Sequence, residues 1–121
     1  MQTAQKDFHK KLLGRAGELK AKKFLKKQGY KILEQNFSTR IGEIDIIAKD
    51  GDILVFVEVK TRTNEDFGLP SEAVTARKRQ KYGLVASEYI LKNDLVDPPC
   101  RFDVVEVEEG KVNLIKDAFT L

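Results

Sequence analysis

The stretch IGEIDIIAKDGDILVFVEVKTR, residues 41–62, decides the fold of this chain. Its apolar residues predict two strands, over 42–48 and 53–61, joined by a tight turn at Asp50-Gly51, because Asp-Gly between apolar runs is a strong hairpin signal. Four charged residues interrupt the apolar pattern: Glu43, Asp45, Glu58 and Lys60. The strands are otherwise typical of a buried sheet. Burying charged side chains there costs free energy, so a structural or functional explanation is needed.

The remaining sequence extends this hairpin into one α/β domain over residues 1–121. Helical spacing of apolar residues predicts a first helix over 7–28, and a second that begins near Pro70 or Thr75 and runs to about Lys92. Three further strands are predicted over 30–37, 101–107 and 111–115, the last two joined by a turn at Glu109-Gly110. The predicted order is α-β-β-β-α-β-β, with a mixed β-sheet flanked by helices.

Composition excludes several classes of protein. The chain has 121 residues, of which 41% are hydrophobic, so it can bury one ordinary core, and 34% are charged, above the usual ~25%. No apolar run approaches the ~20 residues of a membrane span, and the N-terminal segment lacks a signal-peptide core. A single cysteine, Cys100, excludes an internal disulfide, and a single His9 disfavours histidine-based catalysis. These features predict a cytoplasmic protein without a membrane partner.

Basic residues are concentrated in two segments. Residues 1–31 contain ten Lys or Arg and only two acids, and a second cluster lies at Arg77, Lys78, Arg79 and Lys81. Local basic regions on a chain of net charge +3 favour a polyanionic partner. Lysine-rich helices that are merely well solvated explain the charges equally well, so charge alone leaves both interpretations open.

A two-residue turn at Asp50-Gly51 predicts a register in which Asp45 faces Phe56 and Glu43 faces Glu58. Alternation then gives two faces. One carries Glu43, Asp45, Ile47, Leu54, Phe56, Glu58 and Lys60, and the other carries Ile44, Ile46, Ala48, Val55, Val57 and Val59. Asp45 and Glu58 become diagonal neighbours with Cβ atoms ~7 Å apart or less, which leaves room for a divalent cation between their carboxylates.

Oxygen ligands without Cys or His suit Mg²⁺ or Mn²⁺, which would relieve the repulsion among these acids. The alternative is a solvent-facing strip whose acids pair with Lys60 and Arg62. The spacing of Asp45, Glu58 and Lys60 has low specificity by itself, and the dense apolar context raises it.

An aspartate followed by Glu-x-Lys on a hairpin resembles the PD-(D/E)XK nuclease superfamily, although Ile44 stands where the superfamily label has proline. Three segments are similar to the YraN-type family of uncharacterised, endonuclease-related proteins: GRAGELKAKKFLKKQGY, GEIDIIAKDGDILVFVEVKTR and SEAVTARKRQKYGLVASEYI. This similarity covers roughly residues 12–107. Archaeal Holliday-junction resolvases are similar more distantly.

The resemblance implies a restriction-endonuclease-like fold and a Mg²⁺- or Mn²⁺-dependent nuclease that selects DNA by structure rather than sequence. By position, Asp45 and Glu58 are implied as metal-binding acids and Lys60 as the catalytic lysine. Glu18 matches an acidic residue on the first helix, and Lys78 a basic position on the later helix. The residues expected to contact nucleic acid are Lys22, Lys23, Arg62, Arg77, Lys78, Arg79 and Lys81.

Simpler interpretations stay open for several of these residues. Glu18 could pair with Lys22 at i+4, and Lys78 could extend along the margin of the core. For the whole chain, the alternatives are a non-catalytic nucleic-acid-binding module and a protein-interaction subunit, and a homodimer is also open. Tyr30 is predicted to be core. Asp103 is predicted to be structural, pairing with Arg101 or with a nearby loop.

Overall fold

The computed structural model describes residues 2–62 and 76–119, with side chains described from residue 14 onward. In chain order, the elements are α1 (Gln2–Lys27), β1 (Lys31–Ser38), β2 (Glu43–Asp50), β3 (Ile53–Thr61), α2 (Ala76–Lys92), β4 (Cys100–Glu108) and β5 (Lys111–Ile115). This α/β order confirms the predicted one. The predicted helix start near Pro70 or Thr75 and the side chain of His9 lie outside the described residues.

The five strands form one mixed sheet in the order β1-β2-β3-β4-β5. All neighbours are antiparallel except β3 and β4, which run parallel. A parallel pair requires a crossover connection, and α2 lies in that connection. In the part of the chain that the structure describes, neither helix is long and apolar enough to cross a membrane.

The helices pack on opposite faces of the sheet. The α1 face buries Ala21 and Leu25 against apolar side chains of the central strands, such as Val57. The α2 face is richer in aromatic residues, and there Tyr89 makes an edge contact with Phe37 at 5.3 Å between ring centroids. Because the central strands are covered on both faces, they have the nearly continuous apolar sequence seen in residues 44–57.

The turn between β2 and β3 differs from the predicted one. Asp50 pairs with Ile53, so the two loop residues are Gly51 and Asp52, and the register is shifted by two residues from the prediction. Gly51 has φ +61° at the first loop position, where a type II′ turn favours glycine. Phe56 therefore faces Ile47, and the predicted pairings of Asp45 with Phe56 and of Glu43 with Glu58 are wrong.

The placement of Ile44 also corrects the prediction. A shift of two residues preserves which side chains share a face, so Ile47 and Phe56 lie together as expected. Ile44, however, packs on the α2 face with them, whereas Ile46 packs on the α1 face. Strict alternation is therefore broken at Asp45, the residue between the two isoleucines.

A buried polar network closes the end of the sheet that contains the β2–β3 turn. The Asp103 carboxylate is fully buried and accepts hydrogen bonds from the Tyr30 hydroxyl at 2.9 Å and from Arg101 Nε at 2.9 Å. Arg101 also donates to Asp50 at 2.9 Å, and the Asp117 amide donates to Asp103. The predictions that Tyr30 is buried and that Asp103 pairs with Arg101 are confirmed.

Two glycines of α1 provide a test of how closely that helix approaches β3. A Cβ atom at Gly17 would lie 2.0 Å from Thr61 Oγ1, whereas one at Gly14 would meet nothing within 4 Å among the described residues. We expect Gly17→Ala to destabilise the protein by about 1–3 kcal/mol through overpacking. We expect Gly14→Ala to stabilise it by up to about 1 kcal/mol through helix propensity. Urea denaturation of the two variants measures both effects, and equal effects of the same sign would contradict the observed packing.

Candidate metal centre

Three carboxylates from two elements converge at the start of β2. Glu18 lies on α1, and Glu43 and Asp45 lie on β2; one ligand oxygen from each lies within 4.8 Å of the others. Glu18 reaches this position because Ala21 and Leu25, further along the same helix face, are fully buried against the sheet. We call these three residues the carboxylate cluster.

Asp45 is held in place by the backbone of β3. The described pairing of β2 with β3 ends at Ile46 and Val57, and beyond it the Val59 amide donates to Asp45 Oδ2 at 2.8 Å. The carboxylate therefore replaces a strand carbonyl where the alternation breaks. Burial, helped by the negative charges of Glu18, Glu58 and Glu43 and opposed by the Val59 hydrogen bond, raises the pKa of Asp45 from 3.8 to about 7.

Asn36 connects the other two members of the cluster. It has φ 52°, a left-handed conformation that Asn tolerates better than most residues. With the amide nitrogen oriented toward the carboxylates, it donates to Glu43 at 3.0 Å and to Glu18 at 3.1 Å. Burial raises the pKa of Glu18, and this hydrogen bond opposes the shift. The sequence predicts that Glu43 and Asp45 share a strand face but indicates no role for Glu43. Asn36 was not predicted, because its only signal is an asparagine inside a strand.

Glu58 lies next to the cluster on the α2 side of β3. Glu58 is only 6% exposed, and its Oε1 accepts a hydrogen bond from Lys78 Nζ at 2.5 Å. Within the described residues, Oε2 has no hydrogen-bond partner although it is buried. An unpartnered buried carboxylate oxygen is costly, so Glu58 has capacity for a further cation or donor. Burial raises the pKa of Tyr82 most, and the charges of Glu58 and Asp45 and a hydrogen-bond interaction with Glu58 raise it further, so this neighbouring phenol stays protonated.

The predicted basic residues have different environments. Lys60 is half-buried on the face of β3 that carries Glu58, and Lys78 pairs with Glu58 rather than lying along the core margin alone. Arg62 pairs with Glu106 at 2.9 Å, and the Arg79 guanidinium lies 5.9 Å from the Phe119 ring centroid. The others are at the surface: Lys23, Arg77 and Lys81 are exposed and Lys22 is half-buried.

The donor set is chemically uniform. Glu18, Glu43 and Asp45 converge, and Glu58 lies outside that group. All four offer only carboxylate oxygens, the ligands preferred by hard divalent cations such as Mg²⁺ and Mn²⁺. Glu58 Oε2 has no partner among the described residues, and burial with three neighbouring carboxylates raises the pKa of Asp45, so a bound cation would stabilise the ionised form of both groups. A divalent cation therefore fits the residues present.

The fold and this cluster define an α/β protein with a carboxylate site at one end of a mixed sheet. A family model described as "Uncharacterised protein family UPF0102" matches residues 17–107. A UPF0102 protein of Symbiobacterium thermophilum is 50% identical over 112 residues, covering 88% of this chain and 95% of the relative. Another, of Caldicellulosiruptor saccharolyticus, is 49% identical over 118 residues, covering 93% and 100%. The chain belongs to the UPF0102 family, as the YraN-type resemblance predicted.

Proposed function

We propose that this protein is a metal-dependent nuclease that hydrolyses phosphodiester bonds in nucleic acid, with DNA as the expected substrate. The observation that carries the proposal is the convergence of Glu18, Glu43 and Asp45 within 4.8 Å beside the buried Glu58, whose Oε2 has no partner in the described part of the chain. A concentration of carboxylates is typical of sites that bind a divalent cation and a phosphate together.

The residues of the site have different roles in this mechanism. Asp45 and Glu58 would hold the cation, with Glu18 and Glu43 as further ligands, and Asn36 would orient those two. When bound, Mg²⁺ or Mn²⁺ supplies a water of lowered pKa and positive charge beside the phosphate. The Lys60 ammonium would stabilise the attacking water or the negative charge that develops on the phosphate. The Val59 amide would keep Asp45 oriented.

A second function, a nucleic-acid-binding module without catalysis, is favoured by one contact. Lys78 already donates to Glu58, so an internal cation compensates one of the expected metal ligands. The nuclease interpretation requires Glu58 to help hold the cation although Lys78 already compensates part of its charge. The binding-module interpretation requires only the exposed basic residues of α1 and α2.

Cleavage assays separate the two functions. We expect the protein, incubated with Mn²⁺ or Mg²⁺, to cleave at least one member of a panel of duplex, single-stranded, flap and four-way-junction DNAs. Chelation with EDTA should abolish cleavage, and Lys60→Met protein purified in parallel controls for contaminating nucleases. Salt-sensitive DNA binding without cleavage of any substrate by wild type would support the binding module instead.

Binding to phosphates predicts a defined dependence on salt. The logarithm of affinity should fall linearly with the logarithm of salt concentration, with a slope of about −0.9 for each phosphate contact on duplex DNA. Replacing the exposed Lys23 and Arg77 with glutamine should therefore reduce the magnitude of the slope by about 2. Fluorescence anisotropy over a salt series measures this change.

Lys31 and Lys49 provide the matched control. Both are exposed, and they pair with each other near the β2–β3 turn, at the end of β2 opposite the carboxylate cluster. Replacing this pair with glutamine removes the same number of charges and should leave the slope unchanged. An equal loss in the two double variants would mean that binding follows net charge and not the proposed surface.

A further inference from the structure

A groove runs beside the carboxylate cluster, between the segment that precedes β2 and the first turns of α2. Its cavity volume is about 540 Å³, and Ile41, Tyr82 and Val85 form its apolar side. The segment before β2 is held by Thr39, whose Oγ1 accepts hydrogen bonds from the amides of Ile41 and Gly42. We call this cavity the α2 groove.

The charges of the α2 groove are opposite to those of the carboxylate cluster. Arg77, Lys78 and Lys81 line it, and Arg77 and Lys81 are exposed. Glu43 belongs both to the groove and to the carboxylate cluster, so the two are contiguous. The apolar side of the groove consists of the exposed Ile41 above the largely buried Tyr82 and Val85. Basic side chains that can contact phosphates beside an apolar wall are features of single-strand binding sites.

We propose that the α2 groove binds one unpaired nucleotide next to the phosphate that is cleaved. The volume of the groove falls in the range of pockets that hold one small ligand, roughly 300–1,000 Å³. A base within a duplex could enter the groove only after its base pair has opened. The substrate class is then nucleic acid with an unpaired nucleotide at the cleavage point, such as a bulge, a flap or a single strand, and not a continuous duplex. This inference rests on the proposed nuclease function for the position of the cleaved phosphate.

Binding measurements test the inference without requiring turnover. Fluorescence anisotropy compares a labelled duplex with the same duplex carrying one extra, unpaired nucleotide, in buffer containing Ca²⁺, with gels to verify that the DNA stays intact. We expect the unpaired nucleotide to raise affinity by roughly tenfold or more, because the continuous duplex must be unpaired first. Equal affinities for the two DNAs would overturn the inference.

Gly42→Leu fills the α2 groove. Gly42 does not have a positive φ, and a Cβ atom there would make an ordinary contact with Val85 at 3.6 Å, so the backbone accepts a side chain directed into the cavity. We expect this variant to lose the preference for the unpaired nucleotide and to bind the continuous duplex as wild type does. A preference retained by Gly42→Leu, with a melting transition showing that the variant is folded, would overturn the proposal.

A substitution at the edge of the α2 groove tests the proposal without depending on whether Gly42→Leu folds. Lys81→Gln changes an exposed side chain and should weaken binding of the bulged DNA severalfold more than binding of the duplex. Lys49→Gln, at the other end of β2, should leave both affinities unchanged. An equal effect of Lys81→Gln on the two DNAs counts against the groove. Cleavage without preference overturns this inference alone, whereas no binding to either DNA overturns the proposed function with it.

Discussion

Asp45→Asn is expected to abolish cleavage and also the stabilisation of the fold by Mn²⁺. A ligand stabilises only the state to which it binds, so loss of a metal-binding oxygen removes the shift in melting temperature that Mn²⁺ causes in wild type. The fold should survive, because the side-chain amide oxygen that the substitution introduces can still accept the Val59 hydrogen bond. Thermal melts and cleavage assays with and without Mn²⁺ measure the two effects.

Lys60→Met is the informative partner variant. It should reduce cleavage by on the order of 10²–10³-fold, the usual effect of removing one group that stabilises transition-state charge. Metal-induced stabilisation should persist, because Lys60 is not a ligand. If the acids and lysines formed only surface salt bridges, both variants would be modestly destabilised and Mn²⁺ would not shift any melting curve. A wild-type melting curve unaffected by millimolar Mn²⁺ would contradict the metal site.

The pKa of Asp45 adds a pH dependence with a defined sign. Its value rises from 3.8 to about 7 on folding, so between about pH 4 and pH 7 the folded state binds more protons than the unfolded state. In EDTA, this group therefore lowers the stability of wild type as pH increases through that range. Asp45→Asn lacks this loss and should be more stable than wild type at pH 8. Urea denaturation at pH 5 and pH 8 tests the prediction; a variant less stable than wild type at pH 8 would refute it.

Arg101→Met is expected to cause the largest loss of stability, about 3–5 kcal/mol, because it leaves a buried carboxylate without its counter-charge. Asp103 is fully buried, and Arg101 donates to both of its oxygens, at 2.9 and 3.1 Å. Only the Tyr30 hydroxyl and the Asp117 amide would remain as described donors to Asp103. Chemical denaturation measures the loss.

Two controls separate this effect from a general cost of losing an arginine. Arg40→Met changes an exposed side chain and should alter stability by less than about 0.5 kcal/mol. The double variant Arg101→Met/Asp103→Leu removes both charges and should recover part of the loss, since replacing a whole buried ion pair costs less than breaking it. No recovery in the double variant would show that Arg101 acts through packing. In Arg101→Met protein that remains folded, Mn²⁺ should still stabilise, because the network lies at the opposite end of β2 from the cluster.

The fold followed from short-range patterns in the sequence. Alternating apolar residues between turn signals predicted every described strand to within one or two residues, and 53–61 and 111–115 without error, because side-chain period and turn chemistry are local properties. The end of α2 at Lys92 was likewise predicted, but α1 begins at Gln2 rather than at residue 7. The turn of the β2–β3 hairpin was displaced by one residue because Asp-Gly and Gly-Asp are both good two-residue loops, and here Gly51 takes the first position.

The residues of the candidate site were only partly predictable. Asp45, Glu58 and Lys60 stand out because charge is expensive in a strand with apolar neighbours. Glu18 was predicted as a site residue only from family resemblance, because nothing in the sequence of its helix indicates that it lies next to the start of β2. The interpretations of Lys78 as a margin residue and as a site residue were equally supported by sequence, and its ion pair with Glu58 associates it with the site.

The sequence by itself determined the elements, their order and the presence of unusual charges in the central hairpin. Only the tertiary structure decided that Glu43 converges with Glu18 and Asp45. It also decided that Asn36 hydrogen-bonds to both glutamates. Likewise, only the tertiary structure shows that β3 approaches α1 closely at Gly17 and not at Gly14. These facts depend on how α1 docks against β2 and β3 and on one break in strand alternation at Asp45. Such contacts join residues far apart in the chain, so they depend on packing between elements, which local periodicity and propensity do not encode.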